Sequence, residues 1–210
     1  MDIKPIETFY NGYRFRSRLE ARWAVFFDAA GIKYEYEPEG YYLPDGSMYL
    51  PDFYLPYVGG RAHVMDEKGL YVEVKGKLTE ADYNKIRLFC GFDDYGYPLR
   101  SVLIVGQIPP CFEDRDALVD DYFWNCETID GDWYHVEFYR NKNGEIGIYG
   151  WDNVDDFDGF EWFDKAYLTA RQARFEHGES PFSKTPKKPD LRALAERLKN
   201  AGTHYGGDGG

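Results

Sequence analysis

Leu70-Tyr71-Val72-Glu73-Val74-Lys75 alternates strictly. A strand sends successive side chains to opposite faces, so Leu70, Val72 and Val74 share one face and Tyr71, Glu73 and Lys75 the other. The first set is a core face. The second aims a carboxylate and an ammonium into one space, because residues i and i+2 of a strand stand roughly 6.5–7 Å apart.

Upstream of this strand lie further strand and helix signals. Lys33 to Glu37 alternates, with Tyr34 and Tyr36 on one side. Tyr41 to Leu43 and Met48 to Leu55 read as strands around Pro44-Asp45-Gly46, a turn sequence. Before them, Ser17 and Glu20 fit a capping box, and Leu19, Trp23, Phe26, Phe27 and Ala30 recur at helical spacing up to Gly31, a natural C-terminal cap. Glu20 sits at the edge of that apolar stripe, about 100° round from Leu19.

Downstream, Thr79 is a cap for a helix from Glu80 to Cys90, and Ser101 to Gly106 reads as a strand buried on both faces. An acidic helix is expected around Asp114 to Phe123, then a hairpin of Trp133–Arg140 and Glu145–Tyr149 through Asn141-Lys142-Asn143-Gly144. Asp164 can cap a helix running to about Glu176. Residues 178–190 read as a linker, Asp190 to Asn200 as a short basic helix, and the glycine-rich end as disordered. This order gives an α/β fold, a mixed sheet with helices on its faces. The division expected is a core over residues 1–110, an acidic accessory region of hairpin and helix packed on it over 111–177, and a linker with a flexible basic tail over 178–210.

The chain is 43% hydrophobic and 19% aromatic, which supports a packed core and excludes wholesale disorder. No apolar run reaches membrane-spanning length, and Met1-Asp2-Ile3-Lys4-Pro5 opens no signal region, so a cytoplasmic protein without a membrane partner is expected. Cys90, Cys111 and Cys126 are odd in number and far apart, as in a reducing compartment. A Cys111/Cys126/His135 zinc site can be drawn, but no CxxC pair supports it. His63, His135, His177 and His204 share no motif.

The net charge of −12 argues against a polyanionic partner until its distribution is considered. Residues 101–164 hold 16 acidic and 3 basic groups, whereas residues 165–210 hold 5 acidic and 9 basic. The acidity is concentrated in one segment.

Asp52, after Pro51, ends or bends the strand that neighbours Glu73 and adds a second carboxylate. Oxygen ligands hold hard cations, which neutralise phosphate charge and activate water for phosphodiester hydrolysis. A lysine alongside stabilises the developing charge. Glu20 can complete this cluster, or serve only as the second half of its capping box. Glu73 and Lys75 alone would read as a solvated pair on an exposed sheet, and Asp52 as turn chemistry. Arg14, Arg16, Arg18 and Arg22 cluster before and within the first helix, where they can contact phosphates or pair with acids such as Glu20 or Glu37. Lys184, Lys187, Lys188, Arg192, Arg197 and Lys199 form either a DNA-binding tail or a solvated one.

Three blocks in order carry a resemblance: Ser17-Arg18-Leu19-Glu20-Ala21-Arg22-Trp23-Ala24, Tyr49-Leu50-Pro51-Asp52-Phe53 and Val72-Glu73-Val74-Lys75-Gly76. Together they resemble the PD-(D/E)XK nuclease superfamily, and especially small phage and bacterial nucleases, over roughly residues 10–110. The resemblance implies a restriction-endonuclease-like core, a bacterial and possibly phage-encoded origin, and magnesium-dependent endonuclease activity on DNA, with Mn2+ able to substitute. It implies Asp52, Glu73 and Glu20 as metal ligands and Lys75 as the catalytic lysine; Arg14, Arg16 and Arg18, beside that site, are the expected nucleic-acid contacts. Residues 111–164 match no pattern of that family, while Ala173-Arg174-Phe175-Glu176-His177-Gly178 resembles a C-terminal segment of phage relatives. Two other expectations remain. One is an idle nuclease-fold protein binding a basic protein through its acidic segment. The other is a nuclease subunit or homodimer whose acidic segment docks a partner.

Overall fold

The computed structural model describes residues 5–59, 68–109, 123–126, 133–150 and 161–175. Strands β1 (Thr8–Tyr10) and β2 (Tyr13–Phe15) form an antiparallel hairpin. Asn11 and Gly12 both take positive φ there, which matches the twist of the strands they join. Helix α1 (Arg18–Ala30) follows, with Ser17 as N-cap and Gly31 closing it at φ 71°. Its apolar face buries Trp23, Phe26, Phe27 and Ala30.

Next come β3 (Glu35–Tyr36), β4 (Tyr41–Tyr42), β5 (Met48–Tyr49), β6 (Phe53–Gly59) and β7 (Lys68–Val74). Helix α2 (Glu80–Cys90) and β8 (Val102–Val105) lead to β9 (Phe123–Cys126), β10 (Trp133–Arg140), β11 (Ile146–Gly150) and helix α3 (Glu161–Gln172). Seven strands make one sheet in the order β11-β10-β9-β8-β7-β6-β3, and β11 also meets β6 at Gly147 and Gly59. Strands β7 and β8 run parallel and the other neighbours in that order antiparallel, so the sheet is mixed.

Helices cover both faces. On one, α1 and α3 pack Trp23, Phe26, Phe27, Phe163, Ala166 and Tyr167 against Leu70, Val72, Leu103 and Phe138. The Phe26 and Tyr167 rings stack at 4.4 Å. On the other, α2 lays Ile86, Phe89 and Cys90 against Val102, Ile104 and Tyr49. Strand β8 divides its side chains between the two clusters, which is why its sequence is continuously apolar.

The structure departs from the sequence reading in four places. The stretch Met48 to Leu55 is two strands, because Pro51 has no N–H to donate to a ladder. One of them pairs with β4, the other with β3 and β7. The strand expected over Lys33 to Glu37 shortens to Glu35–Tyr36, and Glu37 leaves it at φ 46°. The last helix begins at Glu161, not Asp164, and ends at Gln172. Phe123 opens a strand; the rest of the acidic helix expected from Asp114 lies outside the described residues, as do residues 176–210.

The described strands of residues 111–177 do not stand apart from the sheet of residues 1–110. Strand β9 hydrogen-bonds to β8, and β10 to β9. They satisfy the edge that β8 would otherwise leave open. Among the described residues no helix is long and apolar enough to cross a membrane.

Candidate active site

Strands β6 and β7 pair Phe53 with Val72, Tyr54 with Tyr71 and Leu55 with Leu70. Carried one step further, that register sets Asp52 opposite Glu73. Directly opposed residues share a face and stand within side-chain reach. Both are buried, at 3% and 5% exposure. Like charges so placed repel, and the surrounding hydrogen bonds show how the fold tolerates them.

Asp52 Oδ2 accepts the Val74 N–H at 2.8 Å, and Oδ1 accepts Arg16 Nη2 at 2.6 Å. Glu73 Oε2 accepts the Tyr49 hydroxyl at 2.7 Å, and Oε1 pairs with Lys75 Nζ at 2.9 Å. Lys75 Nζ also reaches Asp82 Oδ1 at 3.1 Å. Its own N–H is anchored on the Val105 carbonyl, which fixes where the side chain leaves the sheet. Arg16, Tyr49, Asp52, Glu73, Val74, Lys75 and Asp82, with Glu20 and Lys85, line a cleft of about 450 Å³.

Burial raises the Asp52 carboxyl to about 8, and the Glu73 charge adds to this; the Val74 N–H pulls the other way. Burial works against the charge of Lys75, but Glu73 and Asp82 outweigh it and leave the ammonium harder to deprotonate. Arg16 behaves alike: burial opposes its charge, while Asp52, Tyr36, Glu37 and Glu20 favour it. The Tyr49 hydroxyl is pushed up by burial and by Glu73, so it remains a donor.

Glu20 lines the same cleft, but its oxygens are engaged. Oε1 accepts the Ser17 hydroxyl at 2.7 Å. Oε2 accepts the Tyr36 hydroxyl at 2.7 Å and the Arg16 N–H at 3.1 Å. Ser17 does cap the Glu20 N–H, so the first half of the capping box forms, while the carboxylate binds one residue earlier than the full box requires. Thr79 and Asp82 at the start of α2 form the complete box. Among the described residues no group of three or more His, Cys, Asp or Glu side chains is gathered for a metal ion. Asp52 and Glu73 are hydrogen-bonded at both oxygens as Glu20 is, and they suit a hard cation because they are two buried carboxylates whose repulsion a dication would relieve.

The structure thus brings Asp52, Glu73, Lys75 and Glu20 to one cleft. Of the three arginines, only Arg16 lines it. Arg14 pairs with Glu7 and lies over the Phe9 ring. Sequence reasoning missed Tyr49 and Asp82. Tyr49 stands at the head of the Tyr49–Phe53 block, and Asp82 three residues after the Thr79 cap. Glu37, expected as a partner of the arginines, pairs with Arg16 Nε at 2.7 Å. The Cys111/Cys126/His135 site falls on side chains outside the described residues.

No family model, curated protein or solved structure matches the chain.

Proposed function

We propose that the chain is a magnesium-dependent endodeoxyribonuclease of the PD-(D/E)XK type, with a restriction-endonuclease-like core. One observation carries this reading: Asp52, at the entry to β6 and bonded to the Val74 N–H of β7, lines one open cleft with Glu73 and with Lys75, which pairs with Glu73. Asp52 and Glu73 would hold Mg2+, or Mn2+ in its place. When bound, the cation supplies neutralisation of phosphate charge and Lewis acidity. Lys75 holds a proton at Nζ, aimed by Glu73 and Asp82, and presents positive charge to the scissile phosphate. Glu20 shapes the cleft by holding the Arg16 backbone and Tyr36.

An idle scaffold has no need to bury two repelling carboxylates beside a lysine, which favours the enzyme over the binding protein. Incubation with plasmid, linear and branched DNA, with and without Mg2+, tests the reading. Cleavage that needs the metal and disappears in Glu73→Ala is the expected result. Intact DNA of every form in the presence of Mg2+ and Mn2+ would remove it.

A further inference from the structure

Arg16 occupies an unusual place at the cleft. Its Nη2 donates to Asp52 Oδ1 at 2.6 Å, and its Nε pairs with Glu37 Oε1 at 2.7 Å. Its backbone N–H is held by Glu20 at 3.1 Å and lies 3.1 Å from the Tyr36 hydroxyl. The main chain is fixed, while the side chain is 54% exposed at the cleft mouth.

Glu37 is placed for the same guanidinium. Its backbone sits in the left-handed region at φ 46°, which a glutamate adopts only against a steric penalty. Its N–H donates to the Asp52 carbonyl at 2.9 Å, so one backbone contact ties both carboxylates to the same break in the strand. The two carboxylates differ in depth. The Asp52 side chain is 4% exposed and that of Glu37 29%.

The Arg16–Asp52 bond occupies an oxygen that a divalent cation at this carboxylate would need. Arginine cannot yield by losing its proton. It has to move, and the Glu37 contact gives it somewhere to stay. A guanidinium so held presents N–H donors whose fork matches a phosphate.

We infer that Arg16 is an exchangeable counter-cation. In the metal-free chain its guanidinium donates to Asp52 Oδ1. When a divalent cation takes Asp52, Arg16 stays tethered to Glu37 and turns to a phosphate of the substrate. This rests on the metal-nuclease reading above and adds to it a coupling: Arg16 contacts DNA only once the metal is in place.

Calorimetry with Mn2+ and anisotropy with a short fluorescent DNA duplex test this together. Arg16→Gln removes the competitor for Asp52, so Mn2+ affinity rises about tenfold, the scale of one charge-assisted hydrogen bond. Glu37→Asn keeps a residue that tolerates positive φ and removes the second hold, so Mn2+ affinity falls. Arg16→Gln weakens DNA binding severalfold in Ca2+ and leaves it unchanged in EDTA. An equal loss of DNA binding in both conditions would overturn the coupling. So would Mn2+ affinity unchanged in Arg16→Gln while Asp52→Asn abolishes it, a result that leaves the nuclease reading standing. Failure of the unaltered chain to bind Mn2+ overturns both.

Discussion

The Tyr49 hydroxyl donates to Glu73 across 2.7 Å, and both side chains are buried. Tyr49 belongs to the short strand β5, which is no part of the large sheet; it reaches Glu73 because its ring packs on Phe89 of α2, with centroids 4.6 Å apart. The hydroxyl supplies one of the donors that make a buried carboxylate beside Asp52 tolerable. Tyr49→Phe keeps the ring contact and removes the donor. Urea denaturation should show a loss of about 1–3 kcal/mol, the cost of leaving a buried acceptor unpaired. Unchanged stability would mean that Glu73 finds another donor.

The raised Asp52 carboxyl predicts an acid-favoured metal-free fold. Its ordinary value is 3.8 and its folded value about 8, so the folded chain binds the extra proton throughout that window. Stability from this group is full below the unfolded value and is lost as pH rises through the folded one. Without metal, the midpoint of thermal unfolding should therefore fall between pH 5 and 8 in wild type more than in Asp52→Asn. Because the cation competes with that proton, Mn2+ affinity should rise over the same range. Parallel pH profiles of the two proteins would contradict the assignment.

Local features of this chain were legible because they need only near neighbours. Thr79 capping α2, Gly31 closing α1 and the alternation through Glu73 and Lys75 depend on residues within a turn or a strand. The pairing of Asp52 with Glu73 was only half legible. The sequence showed two carboxylates near adjoining strands; their exact opposition follows from a register set by Phe53 and Val72. Arg16 reads as a phosphate contact or as a partner of local acids, and the fold pairs it with Asp52 and Glu37. Its bond to Asp52 spans 36 residues, and no periodicity encodes such a contact. The insertion of β9 to β11 into the main sheet was hidden for the same reason. A hairpin signal tells that two strands pair with each other, and says nothing of which further edge they extend.

Trp23 should be the most sensitive position of α1. It is fully buried, and its Nε1–H donates to the Gly106 carbonyl at 2.9 Å, fastening the helix to the end of β8. Trp23→Ala should cost about 3–5 kcal/mol by emptying a large core volume. Trp23→Phe fills most of that space and loses the hydrogen bond, so the loss should be smaller. Chemical denaturation of both variants checks the order, and equal losses would assign the whole effect to the hydrogen bond.

Asp82 joins two duties on one carboxylate. Oδ2 closes the capping box of α2 by accepting the Thr79 N–H at 3.1 Å and its hydroxyl at 2.6 Å, while Oδ1 holds Lys75 at 3.1 Å. The start of α2 is thereby the surface on which the lysine rests. Asp82→Asn can keep an acceptor for the cap, so folding should change by well under the roughly 1 kcal/mol of a lost cap. Its effect should fall on Lys75, which loses one of the two carboxylates that aim it. Under the nuclease reading, DNA cleavage should slow about tenfold with Mn2+ affinity unaltered, because Asp82 orients the lysine and not the metal. Lys75→Ala should do the same more severely, by about 10²-fold, the loss expected for one charge-stabilising donor. Combining the two substitutions then discriminates. If Asp82 acts through Lys75, the double variant is no slower than Lys75→Ala alone. A further loss in the double variant would give Asp82 a role independent of the lysine.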